Sequence, residues 1–126
     1  MAVKYVLVER RNPLQPTAPK KVYAIAKSTG EINLKQLSKD ISARSTVNSS
    51  DTLAVLDSLV QQLIKELEAG RIVRLGDFGS FQLSISSEGA ENASKFNSSL
   101  IRKSRIVFRP GEDLRNMLAT VSFTKE

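Results

Sequence analysis

Three observations lead this 126-residue sequence to predict an α+β fold. Residues 33–69 repeat apolar side chains at the 3.6-residue period of amphipathic helices. Directly after Gly70 the period changes to two, the alternation of a half-buried strand. Residues 1–30 add two β-prone runs with three prolines between them. The length corresponds to about one domain and is enough to bury a core.

The elements follow in chain order. Residues 3–8 are β-prone and mostly apolar. Residues 21–27 read as a second strand, with Lys21, Tyr23, Ile25 and Lys27 on one side. Pro13, Pro16 and Pro19 forbid a helix between them and mark a long connection. A helix starts at Asn33, which has capping-box spacing to Gln36, and ends near Arg44. Its apolar stripe is Leu34, Leu37 and Ile41. The strongest helix follows, with Ser49 or Ser50 as cap, Asp51 in the first turn and Gly70 as the left-handed stop. Leu53, Leu56, Leu59, Val60, Leu63, Ile64 and Leu67 form a stripe too broad for one short partner helix. It is expected to be core shared with a second subunit.

Residues 71–75 read as a strand and Gly76-Asp77 as a turn. Residues 78–86 alternate, with Phe81, Leu83 and Ile85 opposite Gln82, Ser84 and Ser86. A small, polar stretch at 86–99 holds one large apolar residue, Phe96. Residues 100–109 return as a strand in which Lys103, Arg105 and Arg109 share one parity. Pro110-Gly111 ends that strand, and a short helix follows with Glu112 and Asp113 in its first turn.

Composition narrows function before any motif does. Lys and Arg number 19 against 13 Asp and Glu, for a net charge of +6. By segment the charge is +5 over residues 1–30, −2 over 31–70, +4 over 71–110 and −1 over 111–126. The two β-rich blocks are thus basic and the helical middle mildly acidic, which favours an acidic partner. His and Cys are both absent, which excludes imidazole acid–base chemistry, cysteine nucleophiles, thiolate or imidazole metal sites and disulfides. No nucleophile–base constellation and no G-x-x-x-x-G-K loop occurs, so an enzyme is not expected, nor a cofactor or small-molecule substrate. No apolar run approaches a membrane span, and the N-terminal run is a poor signal peptide, so a cytoplasmic protein is expected. A helix-turn-helix reader built on 33–69 is disfavoured, because the second helix is apolar and Lys65 is its one basic residue.

The motifs R-I-V-R-L-G-D-F-G-S-F at 71–81 and F-R-P-G at 108–111, after two helices and before a short one, resemble the bacterial HU and integration-host-factor proteins. Gly76, Phe78, Gly79 and Phe81 fit the first family motif, with Asp77 inserted; Phe108, Pro110 and Gly111 fit the second. The resemblance covers about residues 31–120, and the extension at 1–30 is similar to that of a longer HU-related subgroup. It implies an HU-like domain at 31–126, an intertwined homodimer with a helical base, a β-saddle and arms along the DNA minor groove, in the bacterial nucleoid. Phosphate neutralisation would then supply affinity for double-stranded DNA, and bending would enlarge the contact.

Departures from the family pattern qualify this. Residues 84–105 lack the arm-tip proline that wedges between base pairs, and they hold Glu88 and Glu91. Phe96 is the candidate substitute wedge, against the alternative that it packs on the arm. The tripeptide Arg11-Asn12-Pro13 lies in the extension, and the wedge role is not transferred to it. Glu112 stands where the family has a basic residue. The foremost candidate DNA contacts are Lys103, Arg105 and Arg109, against a solvated strand face. Arg102 and Lys95 follow, then Arg74 and Arg71, then Arg10, Arg11, Lys20 and Lys21 of the extension. The competing class is a structural module of the same fold with weak DNA affinity, whose N-terminal strands pair with a partner.

Overall fold

Asn48, one residue before the expected serines, starts the longest helix: its Oδ1 accepts from the Asp51 N–H at 2.8 Å. Asn48 keeps an extended backbone, so it stands outside the helix and satisfies a donor that the first turn leaves open. The structure is a computed structural model describing residues 1–126. It divides into two compact units, Leu34–Asn116 and Met1–Asn33 with Met117–Glu126.

In the first unit, helix α1 (Leu34–Ala43) packs against helix α2 (Ser49–Glu68). Helix α2 stops where expected. Gly70 takes φ 81°, its N–H donates to the Leu67 carbonyl and the Arg71 N–H to that of Glu66, a Schellman pair. Strands β3 (Val73–Arg74), β4 (Gly79–Ser87) and β5 (Ile101–Pro110) form an antiparallel sheet in that order. The β3 pairing is shorter than the strand expected over 71–75. Between β3 and β4, Gly76–Phe78 wind into one 3₁₀ turn, which accommodates the inserted Asp77. The small, polar stretch after β4 contains two further 3₁₀ turns, Ala93–Lys95 and Ser98–Leu100, capped by Asn92 and Asn97. Helix α3 (Glu112–Thr120) follows Gly111.

The second unit is a three-stranded sheet. Strand β1 (Ala2–Arg10) pairs antiparallel with β2 (Lys21–Lys27) on one side and parallel with β6 (Ser122–Lys125) on the other. The sequence pattern ends at the short helix after Gly111 and does not announce β6. Lys27 Nζ bonds the Glu126 carboxylate at 2.6 Å and helps tie the C-terminus to this sheet.

No hydrophobic side chain in the chain is fully buried. The accessible surface is 10,613 Å², against roughly 6,700 Å² for a compact monomer of 13.9 kDa. On α2, Val55 (65 % exposed), Leu59, Val60 and Ile64 stay open to solvent. The broad stripe is therefore not covered by α1 within one chain.

Candidate nucleic-acid interface

The sheet of β3, β4 and β5 has two chemically distinct faces, and strand register assigns them. In an antiparallel pair, residues directly opposite share a face. Phe81 faces Phe108, Leu83 faces Ile106 and Val73 faces Phe81, so one face is apolar. Its aromatic end is close-packed, with the Phe108 ring 4.8 Å from Phe81 and 5.5 Å from Phe78. Leu83 and Ile106 approach Ile64 and Leu67 of α2.

The opposite face pairs Ser80 with Arg109, Gln82 with Val107, Ser84 with Arg105 and Ser86 with Lys103, while Arg74 lies opposite Ser80. It carries four cations among polar side chains and Val107, and no acid. None of Lys103, Arg105, Arg109 or Arg74 is held in an ion pair.

The other expected contacts are placed differently. A bulge at Ser86/Ser87 leaves Arg102 without a cross-strand partner, and its guanidinium donates to Glu88 at 3.0 Å. Lys95 bonds Glu91 at 2.6 Å. The two arm acids thus neutralise two arm cations. Arg71 leaves the sheet and donates to Glu66 of α2 at 2.6 Å. That hydrogen bond holds the Glu66 carboxyl below its ordinary value and raises Arg71. Its contribution to stability is present above the ordinary Glu66 value and is lost as pH falls through the lowered one. Phe96, half-exposed, follows the first arm turn and lies beside Ala90, Asn92 and Ala93. Arg10, Arg11, Lys20 and Lys21 belong to the other unit.

Arg115 of α3 is a residue the sequence reading passed over. With Arg74 and Arg109 it lines a 260 Å³ depression floored by Gly76, Gly79, Ser80, Pro110 and Gly111. The two glycine motifs build this floor together, since the Gly111 N–H donates to the Phe78 carbonyl at 2.8 Å. Helical spacing from Gly111 to Arg115 was the available signal. No group of three or more acidic, His or Cys side chains gathers to hold a metal.

The pairing of the arm acids makes a measurable difference. The double variant Glu88→Gln/Glu91→Gln removes two negative charges and frees two cations. It is expected to tighten duplex binding and to steepen the dependence of log affinity on log salt by up to about two. Anisotropy titrations at several salt concentrations read this directly; an unchanged slope would place both cations away from phosphate.

A helical base carrying a three-stranded sheet that extends into a two-stranded arm defines an HU-like α+β fold. Residues 1–125 match the family described as HU-HIG, an HU domain fused to a winged-helix, immunoglobulin-like or glycine-rich motif, and the chain belongs to that family. Among solved structures, a protein from Bacteroides vulgatus described as a candidate bacterial DNA-binding protein aligns with TM-score 0.69 and 13% identity. The alignment covers 98% of this chain and 47% of that one, so the chain spans about half its relative's length. The HU protein of an Anabaena HU–DNA cocrystal aligns with TM-score 0.56 and 20% identity, over 71% of this chain and 99% of that one. No curated protein sequence matches. At these identities the structural likenesses establish the fold. No helix is long and apolar enough to cross a membrane.

Proposed function

We propose that this protein binds double-stranded DNA as a nucleoid-associated architectural homodimer in the bacterial cytoplasm, with little sequence preference. The observation that carries the reading is the acid-free sheet face with Arg74, Lys103, Arg105 and Arg109, none of them ion-paired. Fixed cations spaced along a strand suit successive phosphates, and phosphate contacts carry no base information. Arg115 extends that face at its base. The arms would follow the minor groove, and bending the duplex would bring more phosphate against the sheet. Phe96 is the wedge candidate within the arm. Arg10, Arg11, Lys20 and Lys21 lie in the other unit and are left out of this duplex-binding face. Unrelated duplexes of equal length should bind within about tenfold of one another, and end-to-end energy transfer should rise on binding. A single strongly preferred sequence would overturn this reading.

The homodimer is supported by the missing core. The apolar stripe of α2 has no cover within the chain, and obligate dimers bury about 2,000–5,000 Å². Sedimentation at micromolar concentration should therefore give twice the mass of 13.9 kDa. Leu59→Asp with Ile64→Asp should yield an unfolded or monomeric chain, because each places a charge on that stripe. A folded wild-type monomer would contradict the dimer.

A second reading is an HU-fold interaction module with weak DNA affinity. It is favoured by the arm acids that occupy Arg102 and Lys95, and by the exposed edge strand β2. Absent duplex binding at low salt would select it.

A further inference from the structure

The three-stranded sheet unit holds a concave site that the sheet face of the other unit does not explain. Its 370 Å³ cavity lies at the β1–β2 connection and is lined by Arg10, Arg11, Pro13, Pro19, Lys21 and Tyr23, among others. This size is within the range of small-ligand pockets. Its walls are ordered by the chain's own bonds. The Leu14 N–H donates to Asn12 Oδ1 at 3.0 Å, the Gln15 N–H to the Asn12 carbonyl at 3.1 Å and the Ala18 N–H to the Gln15 carbonyl at 2.9 Å. Pro13, Pro16 and Pro19 stiffen the same loop.

Its charge is unbalanced. Arg10 and Lys21 are direct cross-strand partners, a like-charge pairing that destabilises a sheet unless an anion sits between. Arg11 adds a third cation, and none of the three has an ion-pair partner. Glu9, the nearest acid in sequence, lies on the opposite face by strand alternation. Tyr23, 47 % exposed, supplies an aromatic wall one same-face step from Lys21.

We infer that this pocket binds one unpaired nucleotide of a nucleic-acid strand, its phosphate among Arg10, Arg11 and Lys21 and its base against Tyr23. The cations answer the phosphate, and the exposed ring answers a base that has left its stack. A base inside a duplex cannot reach that ring, so the site selects single strands, strand ends or flipped bases. The inference rests on the nucleic-acid reading above and adds to it a site for non-duplex structure.

The test uses the full chain with a labelled oligothymidylate, a duplex of equal length and free thymidine monophosphate. Arg11→Gln with Lys21→Gln, and separately Tyr23→Ala, should each weaken oligothymidylate binding about tenfold, while Tyr23→Phe retains it. Duplex binding should change by less than about threefold in the same variants, and circular dichroism should match the unmodified chain. Unchanged oligothymidylate affinity in the Arg11/Lys21 variant would overturn the inference. So would an equal loss on duplex, which would place these cations in the duplex surface. Binding of the free monophosphate without the strand would make the ligand a free nucleotide and overturn the strand assignment. These failures leave wild-type duplex binding intact. Failure of the nucleic-acid reading itself would instead abolish duplex binding by the unmodified chain.

Discussion

Replacing Gly79 with alanine is expected to destabilise the protein by about 3 kcal/mol or more, because the backbone and its surroundings both exclude a side chain. Gly79 holds φ 147°, a region L residues rarely enter. A Cβ there would lie 2.5 Å from the Arg109 carbonyl oxygen and 2.8 Å from the Phe108 ring. Neither neighbour can retreat easily. Phe108 is wedged against Phe78 and Phe81, and the Gly79 carbonyl accepts from the Leu75 N–H at 2.8 Å. On the other side of the turn, a Cβ on Gly111 would collide with the Asp77 carbonyl, so the two motifs meet where neither tolerates a side chain. Gly89 has open space and an ordinary φ, so Gly89→Ala should shift the unfolding midpoint little. Urea unfolding of the two variants measures the contrast. Equal midpoints would mean the aromatic turn does not hold β4 against β5.

Removing the cations of the sheet face should have the largest functional effect. The triple variant Lys103→Ala/Arg105→Ala/Arg109→Ala should lose at least about a hundredfold in duplex affinity at low salt, and its salt slope should fall by about three. All three residues stand on the solvated face opposite Ser86, Ser84 and Ser80, so the fold should survive. The loss should be uniform across sequences, since phosphate contacts are sequence-blind. A loss confined to one duplex would mean base reading instead. Arg71→Ala should have far less effect on binding, because Arg71 is spent on Glu66.

The sequence was most informative where structure is local. Periodicity located both helices, and the change of period after Gly70 located the sheet. The parity of Lys103, Arg105 and Arg109 already placed them together on one strand face. What escaped depends on distant partners. Strand β6 has four residues, Ser-Phe-Thr-Lys, and is a strand because it pairs parallel with β1, more than a hundred residues away in sequence. The ion pair of Arg102 with Glu88 depends on a bulge that periodicity does not reveal, and it turns an expected contact into a neutralised one. Lys95 and Glu91 stand four residues apart and pair across the 3₁₀ turn at Ala93–Lys95, a turn that the small, polar sequence of the arm does not announce. Arg115 reaches Arg74 and Arg109 because the Gly111 N–H is tied to the Phe78 carbonyl at the start of α3, a contact that helical periodicity alone does not show. Asn48 took the cap from Ser49 because its side-chain oxygen reaches the Asp51 N–H.

The central claim is that fixed cations on the sheet face bind duplex phosphate without reading sequence. The most direct measurement is the affinity of the unmodified chain for a random-sequence duplex across a range of salt concentrations. The account predicts binding at low salt, with log affinity falling linearly against log salt at a slope of about −4 or steeper, given the four unpaired cations of that face. Absence of binding at low salt, or tight binding that salt does not weaken, would contradict it.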